Sequence, residues 1–229
     1  MNFDEDNKLD NPAWYSLSET HKDFAVDYSN IKFYHPDYCM FGGWVERADT
    51  VSSHIDSYAA LAGSFFIIGE RPALSPQLKI DREIICLQMI ASVGTGTIIK
   101  DEITALGAAH AESLYELVSL VQPGYFKRKT ALLGNYFGIF KDEELVAVTG
   151  ERMKMNSFTD VSAVVTRPGH TGKGYAKQLL AHTVNNIFSQ HKTPYLHVIE
   201  DNAPAIKLYR QFDFITRRKI SFWQIARKN

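Results

Sequence analysis

The second half of the chain switches between two hydrophobic periods. Residues 136–140 and 145–149 are short apolar runs on either side of the polar stretch Lys141-Asp142-Glu143-Glu144, the pattern of an antiparallel hairpin. Residues 161–166 are a third strand-like run. From Gly172 the period lengthens: Ala176, Leu179, Leu180, Val184 and Ile187 recur every three or four positions, one face of a long helix. A strand at 194–200 and a helix at 203–212 follow. Residues 214–226 read as one unusually long strand, because no Gly, Pro or Asn offers a turn. Upstream, Leu114, Leu117, Val118 and Val121 share a helix face that Pro123-Gly124 ends, and 103–106 is a short strand.

The first hundred residues are less periodic. Asn11-Pro12-Ala13 opens a helix running towards Phe24, and 31–34 alternates as a strand until His35-Pro36-Asp37 stops it. A short helix at 58–62 and buried strands at 64–68 and 84–90 follow, with Pro72 and Pro76 in the loop 70–77. Gly94-Thr95-Gly96 and then Asp101-Glu102 suggest a boundary, dividing an N-terminal α/β region, 1–101, from a domain at 102–229. Strands interleaved with helices, one hairpin among them, predict a mixed α/β (α+β) sheet.

Composition narrows the class. A chain of 229 residues, 45% of them hydrophobic, can bury a core without covalent staples. Two cysteines, Cys39 and Cys86, make neither a disulfide framework nor a four-thiolate zinc site, and no His-Glu-x-x-His occurs, so no metal is expected. The acidic start Met1–Asp6 is the reverse of a signal peptide, and no apolar run reaches the ~18 residues of a membrane span, so the expectation is a cytoplasmic protein without a membrane partner. A net charge of −1 argues against nucleic acid. That total is a cancellation. Residues 1–105 hold eight Lys and Arg against sixteen Asp and Glu, and residues 106–229 hold seventeen against ten. The basic part is therefore the place to look for a bound anion.

Its most informative stretch is Val164-Val165-Thr166-Arg167-Pro168-Gly169-His170-Thr171-Gly172-Lys173-Gly174-Tyr175-Ala176: a strand, a glycine turn, then the long helix. Free amides and the helix dipole make such a turn a phosphate site, and Lys173 and Lys177 add charge. A P-loop fails, because Gly169 stands too close to Gly172-Lys173 and no hydroxyl follows. A dinucleotide fingerprint fails at Lys177.

The stretch resembles the acetyl-CoA motif of the GNAT superfamily of N-acetyltransferases, Gln/Arg-x-x-Gly-x-Gly/Ala, with Gly169 in the first position and Gly172 and Gly174 in the last two. Downstream, Leu196–Glu200, Asn202-Ala203-Pro204-Ala205 and Leu208-Tyr209-Arg210-Gln211-Phe212-Asp213-Phe214 resemble the family's strand, Asn-x-x-Ala helix and Leu-Tyr-x-x-x-Gly-Phe ending, with Asp213 replacing glycine. The resemblance covers roughly residues 102–219. It implies a GNAT-like, mostly antiparallel sheet flanked by helices, preceded by an N-terminal extension.

It also implies acyl transfer from acetyl-CoA to a primary amine, a small molecule or peptide, by direct attack on the thioester. The cofactor would be held by His170, Thr171 and the amides of Gly172, Lys173, Gly174, Tyr175 and Ala176, with Lys177 nearby. The strand Val164, Val165 and Thr166 would hold the pantetheine arm, with Asn202 and Ala205 at the last helix, and Tyr209 would protonate the leaving thiolate. Tyr209 also fits a plain core face with Ala205, Leu208 and Phe212. Glu151 is the expected general base and Asp160 its substitute, since both flank sheet strands. An ordinary acidic pair facing Arg152 or Lys154 is the competing reading.

A silent CoA-binding module, or a transferase of the same fold using another donor such as aminoacyl-tRNA, remain the alternatives, the acidic first part counting against a tRNA. That acidity favours a cationic acceptor. Relatives usually end in a hairpin; a single long strand here would leave an edge for the N-terminal part, or for the other subunit of a homodimer, to cover.

Overall fold

The computed structural model describes residues 3–45 and 52–228. Eleven strands form one sheet: β1 Ala25–Asp27, β2 Ile31–Tyr34, β3 Phe41–Trp44, β4 Phe65–Ile68, β5 Leu78–Ala91, β6 Thr104–Ala105, β7 Tyr136–Lys141, β8 Glu144–Lys154, β9 Phe158–Thr166, β10 Thr193–Ile199 and β11 Phe214–Arg227. Six α-helices accompany them among the described residues: α1 Phe3–Asp6, α2 Pro12–Ser18, α3 Ser52–Ala62, α4 Ala111–Val121, α5 Tyr175–Ser189 and α6 Ala203–Arg210. The spatial order is β1-β2-β3-β4-β11-β5-β10-β9-β8-β7-β6, antiparallel except at β3–β4 and β9–β10. This is the mixed, mostly antiparallel sheet flanked by helices that the periodicity and the resemblance predicted. No helix among the described residues is long and apolar enough to cross a membrane.

β11 is indeed one strand, and strands from the first hundred residues cover both its sides: β4 on one, β5 on the other. β5 also pairs with β10. Hydrogen-bonded strands therefore run straight across residue 102.

Two cores lie on opposite faces. Leu180, Ala181, Val184 and Ile187 of α5 pack with Ile206, Tyr209 and Phe212 on Met89, Leu196 and Val198. On the other face Leu9, Ala13 and Leu17 pack on Phe66, Cys86, Met153 and Phe222. A buried knot fastens α2 there: the Ser16 hydroxyl donates to the Lys154 carbonyl at 2.8 Å, and the Tyr34 hydroxyl lies 2.8 Å from His21 Nδ1. α4 adds Leu114, Leu117 and Val118 against Tyr136, Val148 and Val165.

Candidate active site

β9 and β10 are paired only at their starts, Phe158–Asp160 against Thr193–Tyr195. Beyond Tyr195 the two parallel strands part, and a cleft of about 710 Å³ opens between them. Val161, Ser162, Ala163 and Val164 line it from β9, and His197, Val198 and Ile199 from β10. The β8–β9 register shifts between Val148 and Gly150, and Ala163 there has a left-handed φ of 52°. A bulge with such a residue holds roughly 1–2 kcal/mol of strain and recurs beside active sites. It also swaps the faces: Val161 joins the α5 core, while Ala163 and Val165 join the α4 core.

The glycine turn follows β9. Gly172 (φ 77°) and Gly174 (φ 82°) are left-handed, and a Cβ on either would meet no protein atom within 4 Å. Gly174 caps α5 with no side chain to satisfy the first amides. This open nest of N–H groups at the start of a helix of 15 residues suits a diphosphate. Lys173 and Lys177 are exposed beside it, and His170 Nδ1 is buried without a hydrogen-bond partner among the described residues. The residues present therefore fit a CoA-type ligand.

Of the other residues expected to hold the cofactor, Val164 and Asn202 line the cleft. The Asn202 side chain accepts from the Ala205 amide at 3.2 Å, capping α6. The side chain of Val165 is buried against α4, and Tyr175 packs with Leu179 and Phe137. Tyr209 lines the cleft, and its hydroxyl bonds to no protein group among the described residues. Burial, and then the charge of Asp160, push its pKa well up, so it stays a neutral O–H donor across the physiological range.

The two carboxylates part company. Glu151 does not line the cleft. It is fully buried, with Lys154 Nζ 2.5 Å from Oε2, the Asn135 amide at 3.2 Å, and the Asn186 side chain donating to Oε1 at 3.2 Å. Asn186 belongs to α5, so this carboxylate ties β8 to the helix. Asp160 is equally buried but sits behind the cleft wall: Oδ2 is 3.3 Å from Arg152 Nε, and Oδ1 is 3.5 Å from His197 Nδ1.

Arg152 and His197 both line the cleft, and neither was expected there. Gln88 fixes the ring. Its Oε1 accepts from Arg217 and its Nε2 donates to the Leu9 carbonyl, which leaves the second N–H aimed at His197 Nε2, 3.1 Å away. His197 Nε2 thus accepts, and Nδ1 carries the proton towards Asp160. Burial opposes the charge of Arg152, but Asp160, Cys39 and Tyr136 outweigh it and raise its pKa. The Cys86 thiol in the same wall is pushed up to about 12 by burial and is no nucleophile.

A sheet opened between two parallel strands, with a glycine turn and helix start beside the opening, defines the GNAT class of fold. Comparison with known proteins agrees. The family model described as FR47-like protein matches residues 136–223. A GNAT-family protein from Novosphingobium aromaticivorans superposes with a TM-score of 0.88 at 28% identity, covering 96% of this chain and 99% of that one. A GCN5-related N-acetyltransferase from Kribbella flavida gives 0.62 at 14% identity over 95% and 94%. A GCN5-related N-acetyltransferase-like protein from Streptococcus suis gives 0.62 at 11% over 98% and 97%. No curated protein sequence matches. The chain thus has the fold of the GNAT acetyltransferases, with a family match confined to residues 136–223, and its similarity to the Novosphingobium protein extends through the first hundred residues.

Proposed function

We propose that the protein transfers an acetyl group from acetyl-CoA to the nitrogen of a primary amine. The observation that carries this reading is Tyr209: its unpartnered hydroxyl stands in the cleft where β9 and β10 part, next to Asn202 and Val164. Acetyl-CoA supplies a thioester, whose C–S bond breaks as the amine's N–C bond forms. The amides of residues 172–176 bind the diphosphate, and the edge of β9 at Val164 aligns the arm that reaches into the cleft. Tyr209 gives its proton to the departing sulfur.

The amine enters in its neutral form, which holds the lone pair; as the N–C bond forms it releases one of its two N–H protons to water, from which Tyr209 recovers the proton it gave to sulfur. Glu151 has no part in this, since its oxygens are taken on the far side of β8. Asp160 is a positioning residue, already bound to a permanent cation. The test is thiol release from acetyl-CoA over a panel of amines. Wild type turns over at least one, and Tyr209→Phe lowers kcat about 10- to 100-fold with KM for acetyl-CoA unchanged. Full activity in Tyr209→Phe removes the tyrosine from the mechanism, and no thiol release with any amine removes the reading.

A further inference from the structure

We infer that the acceptor is an amine that also carries a carboxylate and an apolar side chain, an α-amino acid of the hydrophobic kind, with Arg152 holding the carboxylate. This rests on the acyl-transfer reading above and names its substrate class. The acidic first part of the chain had favoured a cationic acceptor, but none of its acids among the described residues lines the cleft. The first hundred residues contribute Phe41, Phe66, Ile84, Cys86 and one charged group, Arg82. With Arg152 the lining holds, among the described residues, two guanidinium groups and no Asp or Glu. A polyamine or amino sugar would bring further positive charge against those two with nothing to answer it.

Arg152 is shaped for an anion. Its Nε is taken by Asp160, and its Cζ stands 4.5 Å from the Phe41 ring centroid. Neither terminal nitrogen has a hydrogen-bond partner among the described residues. That leaves a pair of parallel N–H donors at the wall, the geometry that receives a carboxylate on two bonds. Buried Asp160 holds the guanidinium by Nε from behind, with His197, itself bonded to Gln88, 3.5 Å from the carboxylate's other oxygen. Arg82 is the lesser candidate, because its donors already go to Gln224 and Tyr125. Beside Arg152 the walls are aromatic: Phe41, Phe66, Phe222 and Tyr125, on the face of the sheet opposite Tyr209. An acceptor seated there by its carboxylate and side chain presents its amine to the opening between β9 and β10.

The test uses the full chain, with acetyl-CoA and four acceptors: L-phenylalanine, its amide, 2-phenylethylamine and O-phosphoethanolamine. The expected result is kcat/KM for L-phenylalanine at least about tenfold above the two acceptors that lack an anion. Arg152→Lys, which keeps the charge and loses the fork, should raise KM for L-phenylalanine about tenfold and KM for 2-phenylethylamine at least about threefold less than that, with the urea midpoint of the variant as the control for folding. Equal or better use of 2-phenylethylamine overturns the inference, as does an unchanged KM in Arg152→Lys; preference for O-phosphoethanolamine overturns the carboxylate. Calorimetric binding of L-phenylalanine and 2-phenylethylamine in the presence of CoA separates the two levels. Selective, Arg152-dependent binding of the amino acid without thiol release supports the acceptor site and refutes transfer. Thiol release from amines without that selectivity does the opposite.

Discussion

Glu151→Gln separates a structural carboxylate from a catalytic one. The side chain is fully buried, and its two oxygens face four donors: the Lys154 ammonium, the Asn135 backbone N–H and the side-chain amides of Asn135 and Asn186. Glutamine keeps one acceptor and turns the other into a donor. Whichever way the amide points, one N–H₂ faces donors, and Lys154, itself only 16% exposed, loses its counter-charge. Breaking one partner of a buried pair costs about 3 kcal/mol. Urea unfolding at pH 7 should show that loss as a lower midpoint with an unchanged slope. The double variant Glu151→Gln with Lys154→Met should recover half of it or more, because the stranded charge is gone. At 15 °C, where the single variant is still folded, kcat should stay within about threefold of wild type, as no path leads from this carboxylate to the cleft. A stability loss under about 1 kcal/mol together with a hundredfold fall in kcat would refute the reasoning and return Glu151 to the chemistry.

Three further outcomes are expected. Gly174→Val should weaken CoA binding, measured by calorimetry, at least about tenfold while its left-handed φ costs about 1–2 kcal/mol of stability, since a Cβ there meets no protein atom and the side chain protrudes where the diphosphate sits. His21, held down to about 4 by burial and by Lys154, takes up its proton in the unfolded chain near its ordinary 6.5. The unfolded state therefore binds more protons between those values, so stability present above pH 6.5 is lost as the pH falls towards 4. The loss is about 3 kcal/mol beyond that of His21→Phe, read from urea midpoints across the window. A fragment 102–229 should be unfolded or insoluble by circular dichroism and gel filtration, because β10 loses β5, and β11 loses both its neighbours; a soluble, folded monomer would contradict this.

The elements after residue 102 were legible because each carries one clean period: the stripe Ala176–Ile187 for α5, the apolar runs for β7 and β9. β3 was not, since Phe41-Gly42-Gly43-Trp44 alternates nothing, and its glycines are there because Gly42 lies against the Phe33 ring and Gly43 against α2. β5 was read at half length: its start, Lys79 to Glu83, is polar because it projects beyond the end of β10. The glycine turn, Asn202 and Tyr209 were found from local patterns. Arg152 and His197 were not, because no local pattern says which face of a strand meets a distant gap. Glu151 and Arg152 are neighbours on opposite faces. The register shift between Glu151 and Lys154 offsets the pairing with β9, so counting alternate residues could not tell which of the two faces the cleft.

The placement of β11 has a kinetic consequence. It is synthesised after β4 and β5, yet in the finished sheet it lies between them, with Leu78 opposite Arg227 and Phe65 opposite Ile225. Until residue 214 has left the ribosome, the two earlier strands present bare hydrogen-bonding edges with no partner between them. At ordinary elongation rates that interval is on the order of 10 s. Pairings so distant in sequence form slowly. The nascent chain therefore passes through a state in which its own late strand competes with any other extended segment for an open slot, and synthesis slowed in that interval should favour aggregation.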